Sequence, residues 1–397
     1  MKNAHASFAL LLLLSAACAV SQEGDADPPG SAPEAERWSS ADNPGLLDAN
    51  LERRLASLPA QGRATTTPWA GNYWPAFRDS INAQWAGPFS RSPTQKYAAA
   101  FRVAGVEDRV SRSFGIDAHR NASLCFDDSQ CAVWRHEVCG GRAWQGMGRC
   151  IPHWLGICDG WASAAILFPE PRHAVVMNGV TFRVQDIKAL LSLVQIGGPR
   201  RGVSLKCLLS DDLGGIRYDA AGRPTAPECR DTNPGTFHIV IANYLGLQGR
   251  SLVEDRTFDA QVWNQPLRGY EVLAQRQISA QEANALVAGG GRSGYPWNRD
   301  AQRFAYVKTR LSYIKESRAE TDGNLSASID RYTGHDVYDY VLELDAAGTI
   351  IGGEWVGSSK RNHPDFMWLP TGAGSSVAGG AIRYQQVASL AAASVAP

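Results

Sequence analysis

The chain has 397 residues, 44% of them apolar, enough to bury the core of one large domain or two modest ones. Lys plus Arg and Asp plus Glu number 39 each. No global field therefore draws the protein to nucleic acid or to an anionic membrane surface, and no nucleic-acid partner is expected.

Lys2, the apolar residues 9–14 and the small residues Ser15, Ala16 and Ala17 before Cys18 have the architecture of an export signal, set at residues 1–19. The apolar run is too short to span a bilayer, and no later stretch is long enough. Two endings fit: cleavage near Ala17 or Ala19, or a lipid anchor on Cys18, the one membrane contact the sequence offers. The expected location is secreted or extracytoplasmic. Residues 20–65, with GDADPPGSAPEAE, read as a disordered linker or propeptide. Residues 66–371 read as the catalytic domain and 372–397, rich in Gly, Ala and Ser, as a weakly ordered tail.

Thiols in an oxidising compartment normally pair. Apart from Cys18, the cysteines are Cys125, Cys131, Cys139, Cys150, Cys158, Cys207 and Cys229, an odd set that leaves one candidate reactive thiol. Of the pairings open to the rest, Cys207 with Cys229 is the preferred one.

In chain order, a helix is expected from Pro93, then a cysteine-dense loop region from Cys125 to Cys150. A helix over CDGWASAAILF is stopped by Pro169 and Pro171, and an amphipathic helix follows over residues 184–196. The remainder alternates like strands: FHIVIANYL, SLVEDRT, RGYEVLAQR, FAYVKTRLSYIK, YDYVLELD and AAGTIIGGEWV. Helices first and strands later predict an α+β fold with helices packed on an antiparallel sheet.

Cys158 follows a Gly-containing turn and opens an apolar helix. Backbone N–H groups and the positive end of the helix dipole there favour a thiolate and offer donors to an oxyanion, so Cys158 is expected to be acidic, nucleophilic and quickly alkylated. Turnover needs a proton carrier, and His238 is the ionisable exception in an apolar strand pattern. If FHIVIA and SLVEDRT form a hairpin with Ala242 opposite Ser251, His238 faces Asp255, which would orient the ring. Asp259 is the competing acid. The order Cys, helix, strand His, strand Asp is shared by papain-like and transglutaminase cores.

After that hairpin comes VWNQPLRGYE, residues 262–271. It resembles the surface peptide of oomycete cell-wall transglutaminases that plants perceive as an elicitor, with Leu267 and Tyr270 in place of Val and Phe. The resemblance to the transglutaminase elicitor family extends over residues 69–370, through GICDGWA, NPGTFHIVIANYLG and GGEWVGSSKRNHPDFMWLP. It implies a secreted protein-glutamine γ-glutamyltransferase with a papain-like core, calcium-assisted activity, and protein substrates bearing Gln and Lys. On matching positions Cys158 is the nucleophile, His238 the general base and acid, and Asp255 its orienting partner. The product would be a Gln–Lys isopeptide crosslink formed through a Cys158 thioester. The WNQP stretch also has a purely structural reading, as a rigid turn supporting the Asp-bearing strand.

Trp144, Trp154 and Trp161 are near Cys158 in sequence and could wall the site, although core packing explains them as well. Trp144, Gln145 and Trp154 are candidates for an oxyanion side chain. Cys131, His136 and Cys139 lack the repeated spacing of a zinc site and suit disulfides better. The acid pairs Asp127–Asp128 and Asp211–Asp212 do not fit an EF-hand loop, so no calcium ligand is named. Asn121 and Asn324 lie in glycosylation sequons. Two alternatives to the acyltransferase are a cysteine protease or glutamine deamidase on the same core, and a non-catalytic cell-surface protein.

Overall fold

The computed structural model describes residues 38, 41–142, 146–205, 217, 231–256, 261–289 and 294–397. Its helices are α1 (Pro93–Phe101), α2 (Val106–Phe114), α3 (Cys158–Leu167), α4 (Val184–Gln195), α5 (Pro234–Ile241), α6 (Ala280–Ala288) and α7 (Tyr384–Val395). Helix α1 starts where the sequence dictates: Pro93 occupies the first turn, and Ser92 and Gln95 cap one another's backbone reciprocally. Helix α3 is built from small residues, and a Cβ at Gly160 would stand only 2.1 Å from the Ser192 carbonyl oxygen, so glycine permits its close approach to α4. All twelve residues of α4 are buried. Its one lysine, Lys188, is held by Glu170 Oε1 at 2.5 Å and the Ala70 carbonyl at 3.0 Å, because a buried ammonium needs such partners.

Among the described residues the strands are β1 (Gln61–Arg63), β2 (Leu124–Cys125), β3 (Glu137–Gly140), β4 (Gly148–Pro152), β5 (Val175–Met177), β6 (Val180–Phe182), β7 (Arg200–Val203), β8 (Val253–Asp255), β9 (Asn264–Ile278), β10 (Arg303–Ile314), β11 (Thr333–Leu344), β12 (Ile350–Trp355), β13 (Met367–Pro370), β14 (Val377–Ala378) and β15 (Ile382–Arg383). The main sheet is antiparallel in the order β12-β11-β10-β9-β8-β13-β7, with β1 added along β9. The expected α+β class with helices against an antiparallel sheet is what the chain adopts. The cysteine-dense region forms a small sheet, β2-β4-β3, stapled by Cys125–Cys139 and Cys131–Cys150. Cys207, Cys229 and Cys18 lie outside the described residues. The two disulfides belong to an oxidising, extracytoplasmic setting. No described helix is long and apolar enough to cross a membrane.

Alternation along the strands gives the sheet two unlike faces. In β8 and β13, Val253 and Trp368 pack with Ala162 of α3. Leu252, Met367 and Leu369 point the other way, into an apolar core with Phe237, Ile239, Leu267, Tyr270, Tyr338 and Tyr340. Helix α5 lies in that second core. The sheet therefore runs between α3 and α5.

Three expectations are corrected. FHIVIANYL is not a strand: residues 234–241 form α5, which continues as a π-helical turn over Ala242–Leu247. Asn233 caps α5 and Pro234 occupies its first turn, signals that outweigh the β-branched residues behind them. The linker assignment fails for its later part, since Leu47 and Leu51 are buried in the core and β1 pairs with β9. The weakly ordered tail is likewise wrong for α7, which buries Val387, Leu390 and Ala391 against the core that contains α4. Ala-rich composition suits a packed helix as well as a linker.

Candidate active site

Cys158 is the one free cysteine among the described residues, and it opens α3 as expected. Its thiol lies 3.8 Å from the Val262 carbonyl oxygen, and its sulfur is 3.4 Å from Asn264 Nδ2, which donates to it. The Asn264 carbonyl oxygen is fixed in turn by Trp368 Nε1–H at 2.8 Å, so the amide nitrogen is the end presented to sulfur. Tyr73 and Trp263 meet edge to face at 5.5 Å beside this point, and the Tyr73 carbonyl accepts the Ile157 N–H at 2.7 Å. The segment 261–264 thus lies across the sulfur, leaving Cys158 only 7% exposed.

That burial reverses one expectation. Desolvation pushes the Cys158 thiol up to about 12, and the nearby charge of Asp159 adds to the rise. Hydrogen bonds from Asn264 oppose it, and Glu316 contributes a smaller upward push. The helix terminus alone does not set the acidity of this thiol: at neutral pH it is protonated. Asp159 is itself paired with Arg200 at 3.0 Å, and the Arg200 guanidinium lies 4.7 Å over the Trp368 ring. Glu316, also raised by burial, accepts a hydrogen bond from Gln265 Nε2 at 2.6 Å.

Asp255 is directly opposite Asn264 in the β8–β9 ladder, on the same sheet face as Val253 and Trp368. It is fully buried, and its Oδ1 accepts the Trp263 N–H at 2.8 Å, which fixes the segment over Cys158. The structure thus brings Cys158 and Asp255 into one neighbourhood, with Asn264 between them.

It does not bring His238 there. The ring sits on α5, in the core against the opposite face, with Nδ1 at 2.7 Å from the Tyr340 hydroxyl, which also bonds Thr309 Oγ1 at 2.7 Å. Burial alone lowers its pKa to about 4, so it stays neutral. The expected hairpin register does not exist, because Asp255 pairs with Asn264 and not with a strand at 238. Among the described residues no imidazole contacts the sulfur of Cys158.

The other candidates fall into place around these. Trp161 is fully buried and donates to the Trp69 carbonyl at 3.3 Å, and Trp154 is also buried, so both serve packing. Trp144, Gln145, Asp211, Asp212 and Asp259 lie outside the described residues. Asp127 and Asp128 accept backbone N–H groups of Ser129 and Cys139, as loop acids do. The one cluster of potential metal-ligating side chains among the described residues is Cys125, Cys131 and Cys150, and all three are disulfide-bonded. No described carboxylate trio converges to receive calcium, so no step is routed through it. Asn264, Trp368, Tyr73 and Glu316 were not singled out as site residues by sequence reasoning. Asn264 lay within the recognised WNQP stretch but was read there as part of a turn.

A free cysteine at a helix start, packed on a sheet that carries a neighbouring acid, marks a cysteine-enzyme type of site on a mixed α/β scaffold. The transglutaminase elicitor model matches residues 45–397, and the chain belongs to that family. It is similar to the crystal structure of the GP42 transglutaminase from Phytophthora sojae, with 38% identity over 90% of this chain and 99% of that one, and a TM-score of 0.76. No curated protein matches.

Two outcomes follow. Asp159→Asn and Glu316→Gln should each lower the thiol pKa and speed iodoacetamide labelling of Cys158 at pH 8 several-fold, since each removes a negative charge that disfavours thiolate; unchanged rates would contradict the electrostatic assignment. For His238, the unfolded state takes up a proton near pH 6.5 and the folded state only near 4. Stability should therefore fall by up to about 3 kcal/mol as pH drops from 7 to 4. Urea midpoints should show that part of the slope disappearing in His238→Asn.

Proposed function

We propose that this protein is a protein-glutamine γ-glutamyltransferase in which Cys158 carries the acyl group. The observation behind the proposal is the unpaired Cys158 at the α3 N-terminus, contacted by the Asn264 amide, in a chain closely similar along its length to a transglutaminase.

In the proposed cycle the Cys158 thiolate attacks the carboxamide carbon of a protein-bound Gln. The tetrahedral oxyanion is met by backbone N–H groups at the start of α3 and by Asn264 Nδ2. Collapse expels the amide nitrogen, which takes up a proton and leaves as ammonia, and a thioester remains. A Lys amine then attacks the thioester carbon, loses a proton, and releases the isopeptide and the Cys158 thiol. Tyr73, Trp263 and Trp368 supply an aromatic surround that limits water and favours the amine over hydrolysis.

The closed arrangement is a resting one. A thiol with a pKa near 12, covered by residues 261–264, does not attack at neutral pH, so the first proton transfer belongs to an opened form of the site. Of the three residues expected to act together, the proposal keeps Cys158 as nucleophile and Asp255 as the positioning acid. His238, bonded to Tyr340 on the other side of the sheet, is assigned to the core.

Incorporation of a fluorescent amine into a Gln-rich protein tests the reading. Wild type should label it, Cys158→Ala should fall by at least about a thousandfold, and Asn264→Ala by about a hundredfold. Equal release of ammonia with and without amine would mark a hydrolase, and full activity in Cys158→Ala would overturn the proposal.

A further inference from the structure

A groove of about 680 Å³ crosses the outer face of β1, β9, β10 and β11, well along the sheet from Cys158. Its shape follows from strand register. Arg63, Gly269, Ser312 and His335 are consecutive cross-strand neighbours in one row. Gly269 contributes no side chain and Ser312 a small one, so the row dips between Arg63 and His335, ~14 Å apart across three strand spacings. A Cβ on Gly269 would stand 2.7 Å from the Gly62 carbonyl oxygen, so the floor cannot be filled there without displacing β1.

The walls are cationic. Arg310 stands in the next row opposite Glu271, and the β9–β10 register skips Arg268, a bulge that turns its side chain toward the groove. Glu271 pairs with Arg310 at an exposed position, where such pairs are weak, and the half-buried Arg268 pairs with the exposed Asp330. Arg63 has no ion pair among the described residues. The lining carries no Val, Leu, Ile or Met, and three of its residues, Arg63, Arg268 and Arg310, are arginines.

The groove and the sulfur share a strand and a face. Asn264, which touches Cys158, and Gly269 on the groove floor are both on the α3 side of β9, while Leu267 and Tyr270 point into the opposite core. Five residues of extended chain separate them, ~17 Å. We propose that the groove docks an acidic, extended segment of the acyl-donor protein, placing a Gln about five residues away over Cys158. Arg side chains suit this occupant because their planar forks match carboxylates in bidentate geometry. The inference rests on the acyl-transfer reading above.

Two measurements test it. In the first, a fluorescein-labelled tetraglutamate peptide is titrated against the full chain carrying Cys158→Ala. Binding should weaken about tenfold for each of Arg63→Ser and Arg310→Ser, and should fall with added salt. In the second, donor peptides with a Glu pair or a Ser pair five residues from Gln are compared on otherwise wild-type enzyme. The arginine variants should raise KM for the Glu peptide about tenfold, with kcat and the Ser-peptide KM unchanged. Peptide binding that is absent, or insensitive to both arginines, overturns the proposal. So does arginine-dependent binding of a polyuronate oligomer without binding of the peptide. Arginine-dependent peptide binding with no amine incorporation sinks the acyl-transfer reading while leaving the groove's acidic-peptide preference in place.

Discussion

Three consecutive residues of β8 carry the constraint on which the site depends. Val253 faces α3, Glu254 faces the core around α5, and Asp255 faces α3 again, because successive side chains in a strand point to opposite sides. The same alternation in β9 aims Asn264 at the Cys158 sulfur and Leu267 into the other core. Shifting β8 by one residue would take Asp255 away from the Trp263 N–H and turn Val253 out of its contact with Ala162 and Trp368. Register is therefore strongly fixed. Glu254 marks how far the second side is from water: it is fully buried, its carboxylate oxygens have no hydrogen-bond partner among the described residues, and burial holds its pKa well above the usual range.

From this constraint comes the character of the sulfur. The strand pair ends where residues 261–264 cross the α3 N-terminus, held by the Asp255–Trp263 and Trp368–Asn264 bonds. The site is preorganised around Cys158 yet shielded, and desolvation is the largest influence on its acidity. Shielding suits a free thiol in an oxidising compartment, where a permanently exposed thiolate would be oxidised or acylated at random.

The sequence was legible where local chemistry decides. The helix start at Cys158 and its stop before Pro169, the unpaired cysteine, the later antiparallel strands, and the family resemblance could all be read from residues and spacing. The long β9, β10 and β11 alternate clearly and were found. What could not be read depends on which face each element takes. FHIVIANYL is apolar apart from His238 and Asn243 because α5 is buried, and so nearly continuous an apolar run has no period that separates helix from strand. Asp255 was reached through a hairpin that does not exist, yet it sits beside the site, because its partner is Asn264 and not His238. The papain-like arrangement, with histidine and acid on one sheet, is the part of the expected core that the placement of His238 departs from.

The separation of sulfur and imidazole by the sheet is tested most directly by the thiol titration of Cys158 in wild type beside a folded His238→Gln variant. The account predicts superimposable alkylation–pH curves, each rising toward high pH without an inflection near neutrality. An inflection between pH 5 and 8 in wild type that vanishes in His238→Gln would mean that the ring and the sulfur titrate as a pair, contradicting the account.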